Sequence, residues 1–280
     1  MRNSFFLVLL SIISTFSCWG QEDSETIPLV YQSTMIGYGR NSVYDSYLSP
    51  LKYKGNNIGI FYEHMKMTGL MNGNVSAQHQ FNLDFSWSDN ESETASDYTG
   101  FVEYSYGLHY RFKPAPKFQI SAGMQANGVL GFIYNTRNGN NPATGKAHIN
   151  LNLSAIAAYN VKLKSQPIHF RYQINMPFSG IMFSPEFGQS YYEISLGNND
   201  NLVHFASFHN YISVRNILTA EVPLNRFTIR LSYINSIYET RVNGLDTRLC
   251  SNTFYIGLSR NFYTVSSKKS DRGNYLRVFE

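Results

Sequence analysis

Polar and apolar residues alternate with a period of two along much of this chain. From Val75 the apolar set runs Val75, Ala77, Phe81, Leu83, Phe85, Trp87, broken by His79, against Ser76, Gln78, Gln80, Asn82, Asp84, Ser86. The pattern repeats in Val102, Tyr104, Tyr106, Leu108, Tyr110, Phe112 against Glu103, Ser105, Gly107, His109, Arg111. It recurs over 147–163 and 168–178, the latter with Ile168, Phe170, Tyr172, Ile174, Met176 against His169, Arg171, Gln173, Asn175. Extended backbone sends successive side chains to opposite faces, so each segment predicts a strand with one face in an apolar medium and one in a polar medium.

The connections alternate in length. Short turns are expected at 114–117, 164–167 and 223–226, and longer polar loops at 40–55, 88–98 and 136–146, with a shorter one near 241–248. A transmembrane barrel has short periplasmic turns and longer outer loops, so this parity predicts an all-β, antiparallel up-and-down barrel in the outer membrane over residues 21–265. Twelve strands are predicted if Gln189–Gly197 and Leu202–His209 form a hairpin, and ten if 184–212 is an excursion. A polar tail follows over 266–280.

Composition changes this picture in three ways. Arg2 followed by the short apolar run Phe5–Ile13 reads as a cleaved signal peptide over 1–20, because so short a run cannot cross a bilayer as a helix. Acylation of Cys18 is the alternative; under simple cleavage Cys250 alone survives and no intramolecular disulfide forms. The mean hydropathy of −0.27 would suit a soluble protein, but barrel strands dilute hydropathy with lumen-facing polar residues. An aromatic content of 15% with 21 tyrosines favours the barrel, and a net charge of +4 with scattered basic residues gives no footprint for nucleic acid.

The inward positions read as Gln78, Gln80, Asn82, Asp84, Glu103, His109, Arg111, Gln119, Gln125, His148, Asn150, Arg171, Gln173, Arg215, Glu221, Thr228 and Arg230. Acids and arginines in similar number predict a largely filled polar lumen, since buried charges must be paired and buried amides hydrogen-bonded. A narrow solute or lipid conduit is the rival use of the same residues.

Candidate chemistry is sparse. Ser207 and His209 fall on one strand face, with Glu193 or Glu186 nearby across the expected hairpin, an arrangement suited to a nucleophile, a base and an orienting acid. A membrane-embedded hydrolase using Ser207 and His209 is therefore a second alternative to the structural or surface-binding role, although a polar strand acquires serine and histidine readily. Glu186, Gln189, Tyr191 and Tyr192 make the 183–210 segment a candidate binding loop. No histidine or cysteine cluster has zinc spacing, and Asp89, Glu91, Glu93 and Asp97 match no calcium loop, so neither metal nor cofactor is expected. The expected partners are outer-membrane lipid, the barrel-assembly machinery and an extracellular or periplasmic protein.

Three segments carry a resemblance: His64-Met-Lys-Met-Thr-Gly-Leu-Met-Asn-Gly, Asn141-Pro-Ala-Thr-Gly-Lys-Ala-His-Ile-Asn and Phe183-Ser-Pro-Glu-Phe-Gly-Gln-Ser-Tyr-Tyr-Glu-Ile. The chain resembles an uncharacterised domain-of-unknown-function family of small exported outer-membrane β-barrel-like proteins from Bacteroides-type bacteria. The resemblance implies an outer-membrane location and supplies no catalytic residues.

Overall fold

The computed structural model describes residues 29–263, apart from 164, 165, 199, 225 and 226. The expected signal peptide, Cys18 and the tail from 266 lie outside the described residues. Eleven strands and one helix follow in order: β1 (Leu29–Asp45), β2 (Tyr53–Met67), β3 (Val75–Asn90), β4 (Ser96–Ala115), β5 (Phe118–Asn135), β6 (Ala143–Leu163), β7 (Gln166–Phe183), α1 (Tyr191–Ser195), β8 (Val203–Ser207), β9 (Tyr211–Pro223), β10 (Thr228–Val242) and β11 (Leu245–Tyr263).

Every pairing is antiparallel, and β1 pairs with both β2 and β11 while β6 pairs with β7, so ten strands close into a barrel with β8 outside the ring. Closure leaves no unpaired edge around the ring. Leu29 and Tyr263, the first and last described residues, pair at the end opposite the β1–β2, β3–β4 and β5–β6 connections.

The expectation of twelve strands is corrected here to ten. Gln189–Gly197 makes no strand; Ser190-Tyr191-Tyr192-Glu193 is a capping-box sequence, and Ser190 and Glu193 exchange both reciprocal bonds at the start of α1. Gly197, at φ +101°, then leaves the helix in a conformation that favours glycine. Strand β8 extends the line of β9 beyond a turn at Phe208–Asn210 and pairs with β7 over Ser179–Phe183, above the β7–β9 pairing that ends at Asn175. The expected long loops at 40–55 and 88–98 are mostly strand, because β1, β2, β3 and β4 run well past the apolar belt.

Period-two patterning sets which side faces out. Leu83, Val102, Tyr104, Leu130, Ile149, Leu153, Phe170, Leu218, Leu231, Phe254 and Ile256 are exposed on the outer wall, while their neighbours Asn82, Ser105, Asn150, Arg171 and Arg230 are buried inside. A soluble protein rarely exposes so continuous an apolar surface. No helix among the described residues is long and apolar enough to cross a membrane.

Candidate functional site

The interior is built in layers. Nearest the terminal end, the Glu63 carboxylate on β2 accepts at 2.5 Å from Arg171 Nη2 on β7 and from Arg230 Nη1 on β10. Arg230 also donates to Tyr31 Oη at 2.7 Å, and lies 3.7 Å from Glu221 on β9. Tyr31 in turn donates to Glu221. Gln78 Nε2 donates to Glu63 at 2.5 Å and to Gln173 at 3.0 Å, while Gln125 Nε2 donates to Gln78 at 2.9 Å. Two carboxylates thus face two guanidiniums, and the amides spread the bonding across the lumen from β2 and β3 to β5 and β7. Paired charges of this kind are tolerated inside because each partner replaces lost hydration.

Above this plug lies an apolar layer of Met35, Phe61, Ile217, Ile234 and Tyr255. The inward-turned Tyr255 ring fits because Gly37 and Gly59 leave it room; a Cβ at Gly37 would stand 2.6 Å from the ring and one at Gly59 2.3 Å from its hydroxyl.

A cavity of about 140 Å³ follows, lined among others by Asp84, Glu103, Asn127, His148, Tyr211, Arg215 and Tyr238. Arg215 pairs with Glu103, and Asn127 Nδ2 donates to Glu103 at 2.8 Å. Asn57 Nδ2 donates to Asp84 at 2.9 Å. His148 stacks on Tyr211 with ring centroids 5.6 Å apart, and neither of its ring nitrogens has a partner.

The far mouth is closed. Val43, Leu48, Tyr53, Ala95 and Ile133 cluster there, and Lys146 Nζ meets Asp45 at 2.6 Å beside Thr247. The 184–202 connection joins this closure. Tyr191 stands edge-on to Tyr47 at 6.1 Å, its hydroxyl accepts from Gly145 N at 2.5 Å, and Tyr47 Oη donates to Gln189 O at 2.9 Å. Burial pushes the Tyr47 hydroxyl up to about 12.

The sequence-predicted site residues therefore separate into two groups. Gln189 and Tyr191 hold their own loop: Gln189 Nε2 donates to Asn198 O at 2.9 Å, and its Oε1 accepts from Glu186 N. Tyr192 is exposed, together with Phe187 and Leu196. Glu186 accepts from Asn201 Nδ2 at 2.9 Å. Ser207 Oγ and His209 Nδ1 do meet at 2.5 Å on the exposed surface. Glu193 instead bonds Ser190, whose backbone N–H holds the carboxyl below its ordinary range. Among the described residues no acid orients His209, and no group of histidine, cysteine, aspartate or glutamate could hold a metal.

Of the inward positions read from the sequence, Gln78, Gln80, Asn82, His109, Arg111, Gln119, Gln125, His148, Asn150, Arg171, Gln173, Glu221 and Arg230 are buried, and Asp84, Glu103, Arg215 and Thr228 are half-buried. Glu63, at the centre of the plug, escapes that reading. The inner face of β2 carries Phe61, Met65 and Met67 while its outer face carries Ile58, Ile60 and Tyr62 between Lys54 and Lys66, so both faces hold apolar residues and the alternation is lost. The charge of Glu63 among apolar inner neighbours is the signal that finds it.

The chain is similar to several solved structures at low identity. The transport unit of the autotransporter AIDA-I from Escherichia coli is 11% identical, with 94% of this chain and 98% of that one covered at a TM-score of 0.46. The translocator domain of the autotransporter NalP from Neisseria meningitidis is 8% identical, covering 93% and 96% at 0.38. The outer membrane protease OmpT from Escherichia coli is 8% identical, covering 86% and 99% at 0.43. No curated protein matches the chain. A family model described as a protein of unknown function, DUF3316, matches residues 5–269.

Proposed function

Because the chain belongs to the DUF3316 family, whose function is unknown, we propose a role from the barrel itself: a sealed outer-membrane barrel that acts at the cell surface through its longer connections. The observation that carries this reading is the lumen-crossing contact of Glu63 with Arg171 and Arg230. A barrel of ten strands has an interior little wider than its own side chains, and here paired charges and amides fill it. In this reading the leader over 1–20 directs export, and the end carrying α1 faces outward.

The exposed surface of the 184–202 connection supports a binding role. Gln189 and Tyr191 hold the loop against the mouth, which leaves Phe187, Tyr192 and Leu196 exposed for an extracellular protein partner. Aromatic side chains on a held loop lose little entropy on binding.

Planar-bilayer recording tests the sealed lumen. The purified barrel is expected to insert without stepwise conductance. Reproducible ohmic steps would contradict the proposal and favour the solute conduit.

A further inference from the structure

The cavity above the plug lies between the barrel walls, and its chemistry is unbalanced. Its charged lining residues are Asp84, Glu103 and Arg215. The Arg215 guanidinium is taken by Glu103, and Asp84 keeps a single hydrogen bond, from Asn57 Nδ2 at 2.9 Å. Among the described residues Asp84 forms no salt bridge, and Arg215, which pairs with Glu103, acts on it only at longer range. The lining therefore carries one formal net negative charge. A buried carboxylate without a positive partner is costly, and a bound cation removes that cost.

Independent observations point the same way. Asn82 and Asn152 line the cavity at 9% and 6% exposure, and each carries a buried side-chain oxygen with no partner. Such orphaned acceptors are rare in finished interiors. Tyr211 and Tyr238 present aromatic rings to the same space, and ring faces attract alkylated cations. The volume of about 140 Å³ matches a protein cavity able to take a molecule the size of benzene, about six heavy atoms.

We propose that this cavity is a binding site for a small organic cation, an alkylammonium whose N–H groups donate to Asp84 and to the side-chain oxygens of Asn82 and Asn152 while its carbon chain lies against Tyr211 and Tyr238. Arg215 and Glu103 form a neutral pair beside it. The aliphatic part excludes a bare inorganic ion as the best fit, because a bare ion would leave the aromatic side of the cavity unfilled.

Calorimetric titration of n-butylammonium into the full chain, folded in detergent micelles, tests this. The uncharged 1-butanol, with the same number of heavy atoms, is the comparison. Saturable binding is expected for butylammonium, at least tenfold tighter than for 1-butanol, and at least tenfold weaker in Asp84→Asn. Absence of saturable binding, equal binding of 1-butanol, or unchanged binding by Asp84→Asn overturns the proposal. Complete displacement by potassium chloride overturns it too, by assigning the site to an inorganic cation. The butylammonium and butanol comparison uses the unsubstituted chain, so the test stands even where Asp84→Asn fails to fold. Its outcome is separate from conductance, which tests the plug.

Discussion

Glu63 on β2 and Arg230 on β10 are 167 residues apart in the chain, and their side chains meet at 2.5 Å with neither exposed to solvent. Around the ring β10 stands three strands from β2, and β7, which carries Arg171, stands opposite it. Glu63 also takes the charge of Arg171, so one carboxylate serves two guanidiniums.

Glu63→Gln is expected to destabilise the folded barrel by about 3–5 kcal/mol, because it leaves two buried arginines short of a counter-charge. Urea unfolding in micelles, followed by the loss of the heat-modifiable band on gels, measures this. Wild-type stability in the variant would show that the plug contributes nothing. Replacing Glu63, Glu221, Arg171 and Arg230 together with leucine or methionine removes the unpaired charges as well, and should cost less than Glu63→Gln alone.

Gly37→Val places a branched side chain where the Tyr255 ring lies, since even a Cβ there would stand 2.6 Å from the ring. Displacing the ring from its layer with Phe61 and Ile234 is expected to cost about 1–3 kcal/mol, the usual range for overpacking. The companion replacement Tyr255→Ala in the Gly37→Val background should recover part of the loss. Additive losses in the double variant would refute the steric account.

The α1 connection should respond to acid. Glu193 is held below the ordinary carboxylate range by the Ser190 backbone N–H and hydroxyl. A lowered folded value means that the capping contribution is fully present above the ordinary glutamate value and is lost as pH falls through the lowered one. The protection factors of the Tyr192–Ser195 amides, corrected for intrinsic exchange, should therefore fall on acidification below the ordinary glutamate value, and Glu193→Gln should abolish that fall while keeping much of the order. Protection factors that ignore pH in the native chain would contradict this.

A serine-directed fluorophosphonate probe is expected to leave Ser207 unlabelled. Ser207 and His209 meet, but Glu193 is bound to Ser190 and no acid orients the imidazole among the described residues. Stoichiometric labelling, lost in Ser207→Ala, would restore a hydrolase reading.

Much of the barrel was legible because lipid-facing positions must be apolar, and so β3, β4, β6 and β7 announce themselves by alternation. The rest was hidden for physical reasons. Beyond the apolar belt both faces of a strand are polar, so the outer ends of β1 to β4 resemble loops in sequence. In β2 the inward Phe61, Met65 and Met67 fill the lumen around Glu63 while Ile58 and Ile60 face outward, which makes both faces apolar and masks the plug's central acid. At Tyr192, Ile194 and Leu196 a brief alternation mimics a strand, while the Ser190 and Glu193 capping pair sets a helix. As for the cavity, its lining residues were readable as inward, but the missing partner of Asp84 appears only once Glu103 is seen to take Arg215.

The central claim is that the outer wall meets lipid around a filled interior. A nitroxide at Ile149→Cys, in a Cys250→Ser background reconstituted into bilayers, tests it most directly, since Ile149 is 64% exposed on the outer wall of β6. The account predicts strong collision with oxygen and little with a water-soluble nickel chelate. Free collision with the chelate, together with release of the protein from vesicles by carbonate, would contradict it.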